Sequence, residues 1–158
     1  MDKQQLYENL LLQLRGILNN ETDALANMAN TAAVIFNTLP QLNWAGFYRL
    51  QGSELILGPF QGKPACVRIA LGRGVCGTAA QQVQTQLVPD VHAFAGHIAC
   101  DSASRSEIVI PVIHNGRVWG VLDIDSPVPA RFDNTDKIFL EKAVAAFTAA
   151  TDLSSEIR

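Results

Sequence analysis

Three cysteines, Cys66, Cys76 and Cys100, fall with His92 and His97 between Pro59 and Glu107, a stretch poor in periodic apolar positions and rich in closely spaced glycines. Loops of this length are uncommon unless they serve a function. A lone cysteine of a cytosolic protein is usually a small buried apolar residue, but here the clustering points to chemistry. Zinc would draw on the sulfur and imidazole, yet structural zinc sites show close-spaced ligand pairs. The segment has neither C-x-x-C nor H-x-x-x-H, so no metal is expected. Redox work is the rival use: one thiolate attacks, becomes oxidised, and a second thiol resolves it as a disulfide. Cys100 is the best placed attacker. It lies in His97-Ile98-Ala99-Cys100-Asp101-Ser102-Ala103-Ser104, where an imidazolium or a row of backbone N–H groups would lower its pKa.

A second set of reactive groups is carried on strands. Alternation through 118–125 puts Trp119, Val121, Asp123 and Asp125 on one face of a strand, with Leu122 and Ile124 on the other. The preceding run, Glu107 to His114, is joined to it through Asn115-Gly116, the dipeptide that supplies positive φ at both centres of a type I′ turn. Counting outward from that turn sets Glu107 opposite Ile124, close to both Asp123 and Asp125. Such a face could simply be solvated. Trp119 and Val121 on the same face argue that it is covered, and crowded carboxylates in a covered pocket hold a proton to higher pH than usual. That cluster would bind an ammonium group and donate a proton to an oxygen, as an amino-acid substrate requires.

The elements that must position these groups are legible around them. Leu6, Leu10, Leu14 and Leu18 form one stripe of a helix from about Asp2 to Asn19. A second helix runs from an N-cap at Thr22 through Leu25, Met28, Ala32, Ile35 and Leu39 to the stop at Pro40. The period then drops to two, with strands expected at 44–50, 54–57, 66–70, 86–88, 107–114 and 118–125. Asp133-Asn134-Thr135-Asp136 starts a C-terminal helix with Phe139, Ala143, Val144 and Phe147 on one face. Gly72-Arg73-Gly74-Val75-Cys76-Gly77 matches G-x-G-x-x-G literally, but no second parallel strand with an acid follows, so a dinucleotide site is rejected. The glycines instead permit positive φ, and Gly77 close packing, at the start of a short helix over 75–83. The expected class is α+β: one domain over 1–158, with a central antiparallel sheet of about six strands, an N-terminal helix pair and a C-terminal helix packed on it.

Composition narrows the function further. The chain has 158 residues, 48% of them hydrophobic, which supports a core without disulfide staples. Net charge is -3 with no basic run, against nucleic acid as a partner. No apolar stretch approaches the ~20 residues that span a bilayer, and the start lacks a signal-peptide layout. A cytoplasmic protein is therefore expected.

Taken together, the motifs resemble the free methionine-(R)-sulfoxide reductases, a GAF-domain family. The resemblance runs through Asn43-Trp44-Ala45-Gly46-Phe47-Tyr48, the 58–66 segment ending in Cys66, Gly72 to Ala80 with Cys76, Val88-Pro89-Asp90-Val91-His92, Gly96 to Ser104 with Cys100, Ser106-Glu107-Ile108-Val109 and Leu122-Asp123-Ile124-Asp125-Ser126. The departure is Ala95, where the family pattern has Pro; it removes no reacting group. The resemblance implies that Cys100 attacks the sulfoxide sulfur of free methionine-(R)-sulfoxide. Cys66 then closes a disulfide that thioredoxin reduces, with Cys76 an auxiliary or alternative resolving thiol. It further implies that Glu107, Asp123 and Asp125 hold the amine and serve the oxygen, that Trp44 and Tyr48 wall the methyl pocket, and that no cofactor is needed. A homodimer through the end helices is the oligomer it allows. Two other readings stand beside it: a non-catalytic GAF sensor of a small ligand, and a zinc or thiol redox switch.

Overall fold

A computed structural model describes residues 1–98 and 100–154. Helix α1 (Lys3–Leu18) starts at a reciprocal cap in which Asp2 accepts from the Gln5 N–H at 2.8 Å and the Gln5 side chain reaches back. Helix α2 (Ala24–Thr38) is capped by Asp23, not Thr22, because the Asp23 carboxylate reaches the Ala26 N–H at 2.8 Å. Six strands follow, with one helix among them: β1 (Trp44–Gln51), β2 (Glu54–Gly62), β3 (Arg68–Ala70), α3 (Gly74–Gln82), β4 (Gln86–Val88), β5 (Ser106–His114) and β6 (Arg117–Ser126). The closing helix, α4 (Asn134–Ala150), begins at a second reciprocal cap between Asp133 and Asp136.

The strands form one antiparallel sheet in the order β3-β2-β1-β6-β5-β4, so β1 and β6 lie at its centre. One face carries α1, α2 and α4 over a core that includes Tyr7, Leu10, Leu14, Met28, Ile35, Phe47, Ile108, Leu122, Ile124 and Phe147. The opposite face carries α3 and the connecting loops over Trp44, Tyr48, Leu55, Val109 and Val121. The α+β class, the six strands and the end helices expected from sequence are all present.

Strands β2 and β3 differ from their expected bounds. Strand β2 continues past Leu57 to Gly62, because Gly58 and Pro59 together stand opposite Phe47 where the β1–β2 register shifts. A bulge there lets the ladder pass a residue that cannot donate. Strand β3 begins at Arg68, which leaves Cys66 outside the ladder. In the β5–β6 hairpin, Asn115 and Gly116 have φ of 52° and 74°, as the type I′ turn requires.

Just beyond that turn, the register shifts between Val112 and Ile113: Ile113 pairs with Val118, but Val112 pairs with Gly120. Trp119 is the extra residue. The bulge moves Glu107 opposite Asp125 rather than Ile124, and it turns Trp119 to the helix face, where it lies 6.2 Å from Phe147. Trp119 therefore does not cover the acidic face as its sequence position suggested; α3 does.

Candidate active site

The acidic face of the sheet lies under α3 and two loops. Gly74, with φ of 61°, begins α3. Gly77 is pressed so closely onto the end of β3 that a Cβ there would stand 2.5 Å from the Ala70 carbonyl oxygen. The G-x-G-x-x-G run is thus a helix start packed against a strand, as expected, and it places Cys76 over the carboxylates.

A small cavity of about 50 Å³, open to solvent on one side, sits between these layers. Of the catalytic and substrate-binding residues expected from sequence, all but Cys66 line it: Trp44, Tyr48, Cys76, Cys100, Glu107, Asp123 and Asp125. Cys66 stands at its rim, between Ala65, which lines the cavity, and the exposed Val67, and is joined to Cys100 in a disulfide with Cα atoms 5.6 Å apart. Cys76 is a free, buried thiol. Bonded to each other, the Cys66 and Cys100 sulfurs are not thiolates free to ligate a metal. The described residues do bring Cys76 Sγ and an oxygen each of Glu107 and Asp123 within 4.8 Å of one another, a donor set that also suits an ammonium.

Electrostatics within the cavity follow from burial. Glu107 is pushed well above the usual carboxylate range by burial and then by the charges of Asp123 and Asp125. Asp125 is raised in the same way by burial and then by Asp123. Burial also raises Asp123, while hydrogen bonding from Glu107 and Cys76 opposes the rise and marks it as the member whose ionised form has most support. The Oδ1 atoms of Asp123 and Asp125 are buried with no N–H or hydroxyl of the described residues reaching them. Unpaired buried oxygens are costly, and a cationic guest would relieve them.

Cys76 Sγ lies 4.0 Å from Glu107 Oε1, and burial followed by the three acidic neighbours pushes its thiol well up. It is therefore held protonated and poorly suited to act as a thiolate. His97 lines the cavity near Cys100, but burial and then His92, whose ring centroid is 6.2 Å away, lower its pKa. The imidazolium helper considered for Cys100 is disfavoured by that pair.

Aromatic side chains form the remaining wall. Trp44 stacks on Phe60 at 5.2 Å and on Tyr48 at 6.0 Å. Burial, then the charge of Asp123, raises the Tyr48 phenol, so it stays a neutral donor. Arg73, Ile98, Asp101 and Ser104 also line the cavity and were not singled out from sequence. For Ile98, Asp101 and Ser104 the signal was weak, since irregular loop residues have no period that betrays which way they face.

A GAF domain is what this fold defines: the match to the GAF domain family spans residues 13–151. Within that class, the chain is 51% identical over 145 residues to the free methionine-R-sulfoxide reductase of Escherichia coli (strain K12), covering 92% of this chain and 88% of that one. It is 48% identical over 150 residues to the enzyme of the same name from Saccharomyces cerevisiae, covering 90% and 83%. The crystal structure of free methionine-R-sulfoxide reductase from Neisseria meningitidis in complex with its substrate superposes with a TM-score of 0.92 at 46% identity, covering 95% and 90%. The chain belongs to the GAF-domain family of free methionine-(R)-sulfoxide reductases and is an oxidoreductase. Among the described residues, no helix is long and apolar enough to cross a membrane.

Proposed function

We propose that this protein reduces free methionine-(R)-sulfoxide to methionine through a sulfenic acid on Cys100 and a disulfide with Cys66. The observation that carries this reading is the Cys66–Cys100 disulfide at the rim of a cavity whose floor is Glu107, Asp123 and Asp125. The reduced Cys100 thiolate attacks the sulfoxide sulfur, and the oxygen passes to Cys100 as S–OH with uptake of one proton. The substrate sulfur gains the electron pair and departs as methionine. Cys66 then attacks the sulfenic sulfur, the S–O bond breaks, and water leaves as the S–S bond forms. A dithiol reductant of the thioredoxin class restores both thiols.

The acidic floor has two tasks with opposite protonation needs. An ionised carboxylate, best supported at Asp123, pairs with the α-ammonium. A protonated one, Glu107 or Asp125, hydrogen-bonds the sulfoxide oxygen and delivers the proton. Environments that push neighbouring carboxyls apart are how one site does both at neutral pH. Trp44 and Tyr48 form the apolar side for the methyl group, so that methyl, oxygen and amino-acid chain occupy distinguishable subsites. A peptide-bonded methionine sulfoxide lacks the ammonium and leaves the carboxylates unpaired.

The test is an assay of the two epimers of free methionine sulfoxide and of the N-acetylated R epimer, with dithiothreitol as reductant. Consumption of the free R epimer alone is the expected result. Equal consumption of the N-acetylated compound overturns the ammonium cage, and no consumption of any overturns the reductase reading.

A further inference from the structure

The first residues of β1 touch both cysteine-bearing loops. Asn43, immediately before β1, donates through Nδ2 to Asp101 Oδ2 and to Ser104 Oγ, each at 3.0 Å, and so ties down the segment that follows Cys100. On the other side, Trp44 Nε1 donates to the Lys63 carbonyl at 3.1 Å and Tyr48 Oη donates to the Cys66 carbonyl at 2.8 Å. The bases of these tethers do not move easily: β1 is paired on both edges, and Trp44 and Tyr48 are each 2% exposed.

We infer that Asn43, Trp44 and Tyr48 are positioning residues that hold the Cys66 and Cys100 loops in register for disulfide closure. The inference rests on the proposed function, with Cys100 as the attacking sulfur. Disulfide geometry is demanding: bridging fails once Cα atoms are more than about 7 Å apart. The observed separation is 5.6 Å, so a drift of an ångström or two in either loop is enough to prevent closure. The sheet holds the loops at their ends, where the Leu57 N–H donates to the Val67 carbonyl at 2.9 Å and the Arg105 N–H to the Ser126 carbonyl at 2.8 Å. The tethers from β1 add a hold at the Cys66 carbonyl itself and at Asp101, next to Cys100. They also make the substrate wall and the resolving loop one mechanical unit, because the same Trp44 and Tyr48 side chains serve both.

In the step they govern, the Cys66 thiol and the Cys100 sulfenic acid become a disulfide and water. Loss of a tether slows that step and lets the sulfenic acid persist. Reduced protein is mixed with one equivalent of free methionine-(R)-sulfoxide and no reductant, in the presence of dimedone, which tags sulfenic acids. Mass spectrometry then reads the ratio of tagged Cys100 to Cys66–Cys100 disulfide among chains that have turned over. That ratio is independent of how fast each variant binds substrate or completes the first step.

Tyr48→Phe, which keeps the ring, and Asn43→Ala are each expected to raise the ratio roughly tenfold, the equivalent of one lost hydrogen bond. Tagged Cys100 or a Cys76–Cys100 link appearing in the variants supports the inference. Tyr7→Phe removes a buried hydrogen bond to Asp136 far from both loops and is expected to leave the ratio at the wild-type value. A wild-type ratio in both tether variants overturns the inference, as does an equal rise in Tyr7→Phe. If the unmodified protein shows neither tag nor disulfide at Cys100, it is the underlying functional reading that falls.

Discussion

Glu107 stands directly across the β5–β6 ladder from Asp125, with Val109 opposite Asp123 one step further along the same face. A single bulge at Trp119 creates this pairing. Without it, Glu107 would face Ile124, and the three carboxyls would not converge on one cavity beneath α3. The bulge also releases Trp119 to the helix core, which leaves the acidic face open for a guest.

Removal of the reacting sulfurs separates the two half-reactions. Cys100→Ser is expected to abolish methionine formation. Cys66→Ser is expected to yield about one equivalent of methionine per chain and then stall under thioredoxin-driven cycling. Quantifying methionine against time checks both; unimpaired cycling by Cys66→Ser would transfer the resolving role to Cys76.

The proton donors are expected to matter in the first chemical step. Glu107→Gln and Asp125→Asn should each lower its single-turnover rate by roughly 10²–10⁴, the usual contribution of a positioned acid. Normal rates in both variants contradict the assignment. In the unmodified protein the rate should fall on the alkaline side, as the donor loses its proton, at an apparent pKa above the ~4.3 of an ordinary glutamate. That value belongs to the coupled trio rather than to one residue.

The same raised pKa has a cost in stability. Because folded Glu107 holds its proton more tightly than the unfolded chain, stability is full below the unfolded pKa and declines as pH rises toward the folded one. Glu107→Gln removes that decline. Its melting temperature should exceed that of the unmodified protein at pH 7, with the gap closing near pH 4, and a gap independent of pH would contradict the raised pKa.

Far from the cavity, Asp136 is 0% exposed and accepts from Tyr7 Oη at 2.5 Å, Lys3 Nζ at 2.6 Å and Arg131 Nη1 at 3.3 Å. Tyr7→Phe leaves the ring in place but removes one donor, at a cost of about 1–3 kcal/mol. Thermal unfolding should fall by about 2–4 °C per kcal/mol, with turnover per folded molecule unchanged.

Much of the fold was legible in the sequence because its signals are local. The leucine stripe of α1, the Asn115-Gly116 turn and the Asp133 to Asp136 cap each act within a few residues. The bulge at Trp119 has no such signature, so counting from the turn puts the facing partner of Glu107 one residue out of register and Trp119 on the opposite face from the one it occupies. Thr22 and Asp23 are both competent caps for α2, and only the backbone decides between them. In the site, chemically unusual residues stood out from sequence. The loop positions of Ile98, Asp101 and Ser104, and the tethers from Asn43 and Tyr48, did not, because contacts between distant loops leave no periodic trace.

The central claim is that Cys100 takes the oxygen of one small zwitterion and passes the oxidation to Cys66. It is tested most directly by mixing reduced protein with one equivalent of free methionine-(R)-sulfoxide in the absence of any reductant. Methionine is counted and the resulting sulfur linkage is mapped by mass. About one methionine per chain and a Cys66–Cys100 bond are expected; methionine formed while Cys100 stays a free thiol, or none formed at all, would contradict the claim.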